Sequence, residues 1–189
     1  VEPMSRAARG GDKGLLSFED NDLAAEWCEN RLFGTAVDTG PENPVGLAET
    51  PLFAGMPDDL MERVRAMAQT RRFESGAPIV VSGEEDNGRV YFIESGRVSV
   101  LVPLPQGGHQ RIATLGPGMN FGEMSLLGQS ARSASVHADT DVTCWVLLNH
   151  ELDALAVEWP RLKIVLLENL ARDMAAKLRR ATQWIAALA

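Results

Sequence analysis

FGEMSLLGQSARSASV, residues 121–136, holds one acid and one arginine nine residues apart, and every other side chain in it is uncharged. An arginine presents a planar fork of donors that matches phosphate oxygens. A carboxylate beside it can accept from a ribose hydroxyl, as acidic residues do in dinucleotide sites. Gly122 has no side chain to keep the backbone away, so its amides can come close to an anion. Glu123 and Arg132 in a small-residue loop therefore read as a pocket for a phosphorylated sugar. The two residues could equally pair with each other and only pin the loop; the loop alone does not decide between these readings.

Working outward, short β-like runs surround the loop: PIVVS (78–82), RVYFI (89–93), RVSVLVPL (97–104), QRIATL (110–115), SASVHA (133–138) and VTCWVLL (142–148). Glycine-bearing breaks separate them, and Val98, Val100 and Val102 alternate with Arg97, Ser99 and Leu101. Many short strands with turn residues between them predict an antiparallel roll or sandwich. Helical periodicity lies on both sides. PLFAGMPDDLMERVRAMAQ (51–69) places Leu60, Val64, Met67 and Ala68 inward, and HELDALAVEWP (150–160) is a short helix stopped at Trp159-Pro160. In residues 161–189 Leu162, Leu166, Leu170, Met174, Leu178, Ala181, Ile185 and Leu188 form one stripe of a long helix. The fold class expected is α+β: an antiparallel, jelly-roll-like β-roll flanked by N-terminal and C-terminal helices.

Upstream, residues 1–17 lack periodicity and read as a flexible tail. Residues 18–34 hold an amphipathic helix with Leu23, Ala24, Trp27, Cys28 and Leu32 on one stripe, and residues 35–50 read as a linker. The domain is expected over 51–160, with 161–189 its last helix. The opening on Val1 fits a fragment of a longer protein. No secretory signal or membrane span is legible, so a cytoplasmic setting is expected, which includes the cytoplasmic side of a membrane protein. Cys28 and Cys144 stand alone and read as free thiols of a reducing compartment.

The 189 residues include 18 Lys+Arg against 26 Asp+Glu, a net charge of -8. That balance argues against broad nucleic-acid or anionic-membrane binding, which needs a basic face. His109, His137 and His150 are isolated, so neither a metal site nor a catalytic triad is expected. No nucleophile motif has supporting partners, and the chain is read as non-enzymatic.

The stretch 121–136 resembles the phosphate-binding cassette of cyclic nucleotide-binding domains of the catabolite activator and protein kinase A regulatory type, a run close to F-G-E-x-[AS]-L-L-x-x-x-P-R-x-A-[TS]-V. Phe121, Gly122, Glu123, Ser125, Leu126, Leu127, Arg132, Ala134, Ser135 and Val136 match in register. ESGAPIVVSGEEDNGRVYFIESGRVSVLV is similar to the family's glycine-punctuated roll, with Gly76, Gly83 and Gly96 at its turns. The resemblance implies that Arg132 holds a cyclic phosphate and Glu123 the ribose 2′-hydroxyl, with the amides of Gly122, Met124 and Ser125 completing the cradle. It implies cyclic AMP as the ligand, cyclic GMP being the alternative through the Ser133 hydroxyl, and no cofactor. Ala131 departs from the pattern, where Pro usually stands, and should loosen the loop. The last helix would be the family's lid. Lys177 lies near where ligand contacts fall in activator-type members, although a solvated lysine is the preferred reading, and Trp184 could cap a base or sit in a dimer seam.

Residues 18–33, FEDNDLAAEWCENRLF, resemble the end of a STAS domain. A STAS domain followed by this roll is similar to the cytoplasmic tail of bacterial sulfate-permease-type transporters, the reading preferred at this point, and to the tail of some bacterial glutaminases. The partners implied are the cyclic nucleotide, the parent protein's domains and a second copy of the chain, with no nucleic acid and no direct membrane insertion. A degenerate roll used only for docking is the alternative.

Overall fold

The computed structural model describes residues 43–128 and 131–188, with side chains as far as Arg179. The readings of 1–17, of the 18–34 helix and of the start of the linker lie outside the described residues, as do the side chains of Ala181, Trp184, Ile185 and Leu188.

Among the described residues, eight strands form two antiparallel sheets. One has the order β1 (Gln69–Phe73), β8 (Val142–Leu148), β3 (Arg89–Ser95), β6 (Asn120–Phe121). The other runs β2 (Pro78–Val80), β7 (Ser135–Ala138), β4 (Val98–Pro103), β5 (His109–Leu115). Helix α1 spans Asp58–Met67, α2 Asn149–Glu158 and α3 Pro160–Leu188. The expected β-roll between helices is what forms.

Strand β3 shows why. Tyr91 and Ile93 point between the sheets and join Val98, Leu115, Val136, Val142, Cys144 and Val146. Val90 and Phe92 point the other way and meet Leu60, Val64, Leu152, Leu162 and Leu166 from the three helices. Because both faces are covered, the strand is apolar without alternation, as buried strands are. Burying one Leu or Phe in such a layer contributes about 1.5–3 kcal/mol relative to leaving it exposed.

Several boundaries differ from the sequence reading. Residues 43–50 are not slack linker: Val45 and Leu47 are buried, and the Val45 amide donates to the Glu94 carbonyl at 2.9 Å. The domain therefore takes in chain before Pro51. The first helix stops at Met67, and Gln69–Phe73 continues as β1 along the edge of β8. Its QTRRF sequence is exposed at four of five positions, so it carries no apolar alternation to read. The two-residue β6 was too short to read as well. Leu162, Leu166 and Leu170 of the long stripe are buried and Met174 packs at the edge of the core, but Leu178 is 69% exposed. The break between α2 and α3 falls at Trp159, with φ -126° and ψ 75°, and Pro160 opens α3.

Candidate ligand-binding site

The loop after β6 is built around Gly122. Its φ is +74°, in the left-handed region, and an added Cβ would lie 2.8 Å from the Arg89 carbonyl and 3.0 Å from Arg132 Nη1. Only glycine meets both demands. From it a 3-10 turn, Glu123–Leu126, folds back, with the Ser125 amide donating to the Gly122 carbonyl at 3.2 Å. Leu126 anchors the turn in the core against the helices. Beneath, the Phe121 ring stacks on Tyr91 at 4.7 Å with 5° between planes. Burial pushes the Tyr91 hydroxyl pKa up, against the lowering effect of Arg89 and Arg132.

Arg132 reaches the turn from the opposite side. Its backbone is strapped to the 83–84 segment, its amide donating to the Glu84 carbonyl at 2.9 Å and its carbonyl accepting from Gly83 at 2.8 Å. The residue is only 8% exposed, and both terminal nitrogens of its guanidinium have protein partners. Nη1 donates to Ser125 Oγ at 3.1 Å; Nη2 donates to Asn87 Oδ1 at 2.7 Å and the Arg89 carbonyl at 3.1 Å, and lies 3.0 Å from Asp86 Oδ1. Ser125 Oγ in turn donates to Asp86 Oδ1 at 2.8 Å. The acid that neutralises Arg132 is therefore Asp86, not Glu123.

Glu123 pairs instead with the last helix. Lys177 Nζ lies 2.8 Å from Glu123 Oε1 and 2.9 Å from Asp173 Oδ2. Burial alone would lower the lysine pKa, but the two carboxylates outweigh it and hold the pKa above its usual value. Lys177 is thus not the solvated lysine the sequence suggested; it spans from helix to loop.

Between these groups lies a cavity of about 240 Å³. Its lining combines polar side chains, those of Asp86, Glu123, Ser125, Arg132, Ser133 and Lys177, with apolar ones from Val80, Val100, Ala113, Leu115 and Val136. Ile112 sits at the irregularity where Val100 faces Ala113 but Leu101 faces Arg111. That bulge turns its side chain, 48% exposed, to the cavity wall. The expected residues Gly122, Glu123, Met124, Ser125, Arg132 and Ser133 all line this one space, as does Ala131. The Ser125 amide is occupied within the turn, so its hydroxyl is the group facing the arginine.

Asp86 and Asn87 were missed because SGEEDNG reads as a turn. Each does form a turn with its own neighbours, Asp86 Oδ1 accepting from the Gly88 amide at 2.9 Å and Asn87 Oδ1 from the Arg89 amide at 3.2 Å. Nothing in that local pattern signals a partner more than 40 residues downstream.

An arginine, an acid and a glycine turn around a cavity in a β-roll is an arrangement suited to a sugar phosphate. The family model of the cyclic nucleotide-binding domain matches residues 70–158. Residues 70–158 are a cyclic nucleotide-binding domain. The chain is 37% identical to Glutaminase 2 of Bradyrhizobium diazoefficiens over 92% of its own length and 27% of that protein. It is 33% identical to the Cyclic AMP receptor protein of Thermus thermophilus, over 70% of this chain and 59% of the receptor. The crystal structure of Thermus thermophilus Catabolite Activator Protein superposes with a TM-score of 0.63 at 32% identity, covering 74% of this chain and 63% of that one. The chain thus spans only a part of each relative, about a quarter of the glutaminase. The module is a regulatory cyclic nucleotide-binding domain of the catabolite activator and kinase regulatory type.

Proposed function

We propose that the domain senses cyclic AMP, with its phosphate at Arg132 and its ribose hydroxyl at Glu123. The observation that carries this reading is the pairing of the two side chains. Each lines the cavity, and each is held by a protein partner that a ligand can replace. Asp86 stands in for an anion at Arg132; Lys177 stands in for a donor at Glu123. Entry of a cyclic phosphate draws the guanidinium off Asp86 and Asn87, while the turn offers its first amides to the same phosphate. Charge-assisted hydrogen bonds contribute roughly 1.5–3 kcal/mol each. Three or four of them, with a base against Ile112 and Val100, reach the order of -8 kcal/mol that micromolar affinity requires. When Glu123 accepts from the ribose, Lys177 loses its partner on the roll, and the end of α3 is free to take another position. The ligand shifts the helix by as much as it prefers one position over the other.

Titration calorimetry with cyclic AMP and cyclic GMP tests the reading. Micromolar binding of cyclic AMP, weaker binding of cyclic GMP and loss of both in Arg132→Ala are expected. Absence of heat with either nucleotide overturns the sensor reading. It would leave the docking module, which Ala131 and the satisfied charge of Arg132 favour.

The parent protein we infer is a glutaminase whose regulatory tail this is, in place of the transporter tail preferred from sequence. The likeness to Glutaminase 2 covers 92% of the chain, more than residues 43–189 could supply, so it extends into the segment before the roll. A dimer formed through α3 is the second partner proposed, on the spacing of Ile164, Leu167, Ala171, Met174 and Leu178.

A further inference from the structure

Asn149, the first residue of α2, belongs to a residue type that often caps helices. Its side chain does something else. Nδ2 donates to the Ser125 carbonyl at 2.9 Å, whereas Oδ1 is buried with no hydrogen-bond partner, so it accepts no capping bond. Its own amide donates to the Gly88 carbonyl at 2.7 Å. One residue therefore touches both walls around Arg132. Ser125 takes Nη1 through its hydroxyl, and the turn closed by Gly88 supplies Asp86 and Asn87 to Nη2. Leaving a buried acceptor unmet is costly. An Asp at this place would put an acid in the first turn, which suits a helix N-terminus, so the helix does not call for an amide. Only the amide donor serves the Ser125 carbonyl at this distance. The next residue, Leu126, sits in the same apolar cluster as Leu152 of α2 and Leu162 and Leu166 of α3.

We propose that Asn149 is a positioning residue of the site: its carboxamide fastens the 123–126 turn to the start of α2, so that movement of the turn on filling the cavity is passed to the α2–α3 pair. The fastening stands on the contacts alone; its use in signalling rests on the nucleotide reading above.

Asn149→Asp is the test. It is nearly isosteric, it suits a helix N-terminus, and it sets a carboxylate against the Ser125 carbonyl in place of a donor. Hydrogen exchange is followed amide by amide in the full chain. Without ligand, amides of residues 123–127 should exchange on the order of tenfold faster in the variant, the loss of one hydrogen bond, while those of 152–158 stay at least as protected. With saturating cyclic AMP, the turn should still respond in the variant and the response of α2 and α3 should be lost. Unchanged exchange in the turn overturns the proposal, and so does an undiminished helix response. A wild-type chain that binds neither nucleotide defeats only the sensor reading; the ligand-free comparison then decides this one.

Discussion

Lys177 of α3 places its ammonium 2.8 Å from Glu123 in the loop after β6, and 2.9 Å from Asp173 one helical turn back on its own helix. The contact makes α3 part of the site without touching the arginine. On the proposed reading, Glu123 accepts from a ribose in place of this ammonium, which would link helix position to occupancy.

Removing the ammonium should separate these effects. Lys177→Met keeps the aliphatic stem and frees Glu123, so cyclic AMP should bind several-fold tighter, within about 1.4 kcal/mol, because no ion pair has to open. The lysine side chain is 41% exposed, which keeps the effect small. Calorimetry reads the affinity. A weaker one would mean that Lys177 contacts the ligand, and an unchanged one that the ion pair does not compete with it.

Arg132 and Asp86 predict opposite effects on binding. Arg132→Ala should abolish nucleotide binding and also destabilise the domain by about 3–5 kcal/mol, since it strands a buried carboxylate. Asp86→Asn keeps the turn's shape and removes the competing anion. Its affinity for cyclic AMP should rise, with a smaller loss of stability than in Arg132→Ala. Thermal unfolding with and without nucleotide measures both quantities, and a weaker affinity in Asp86→Asn would show that Asp86 orients the arginine instead.

What was legible in the sequence follows from how local each cause is. The roll could be read because its strands are marked by apolar runs and glycine turns, and Gly122 because only glycine fits its conformation. β1 could not, since QTRRF is an edge strand whose order comes from pairing with β8. Glu123 and Arg132, which line the cavity, stand out in the sequence as candidates, but their partners do not. Asp86 and Lys177 lie on other elements, and only the closing of the roll and the return of α3 bring them in. The stripe on α3 was read as one face, although the helix uses two: Leu162, Leu166 and Leu170 face the core, while Ile164 lies 56% exposed beside them.

Cys144 sets an alkaline limit. Burial between the sheets, with a smaller effect of Glu94, pushes its thiol from the usual 9.0 up to about 12. The folded state keeps the proton where the unfolded chain releases it, so stability is complete below pH 9 and falls as pH rises towards 12, by about 1.4 kcal/mol per unit. Tyr91, raised by burial, adds in the same direction above pH 10. Denaturant unfolding at several pH values should show the decline, and Cys144→Ala, though less stable throughout, should show a shallower one. Parallel slopes would contradict the assignment.

The second face of α3 predicts self-association. Ile164, Leu167, Ala171, Met174 and Leu178 follow one another at spacings of three, four, three and four, and the sequence continues the pattern at Ala181, Ile185 and Leu188. That is the repeat of a two-helix seam, which a left-handed supercoil keeps facing its partner. Ile164 and Leu178 stand exposed at 56% and 69%, next to the face that the core already covers. A second copy offers the same repeat and closes the assembly with two-fold symmetry. Sedimentation velocity at micromolar concentration should find a dimer, and Ile164→Glu should return it to monomer without lowering the melting temperature of the roll. If the wild-type chain sediments as a monomer across that range, the seam belongs to the parent protein's other domains. Because Lys177 lies between Met174 and Leu178 of this repeat, release of Glu123 would then act on that contact rather than on a second copy of the chain.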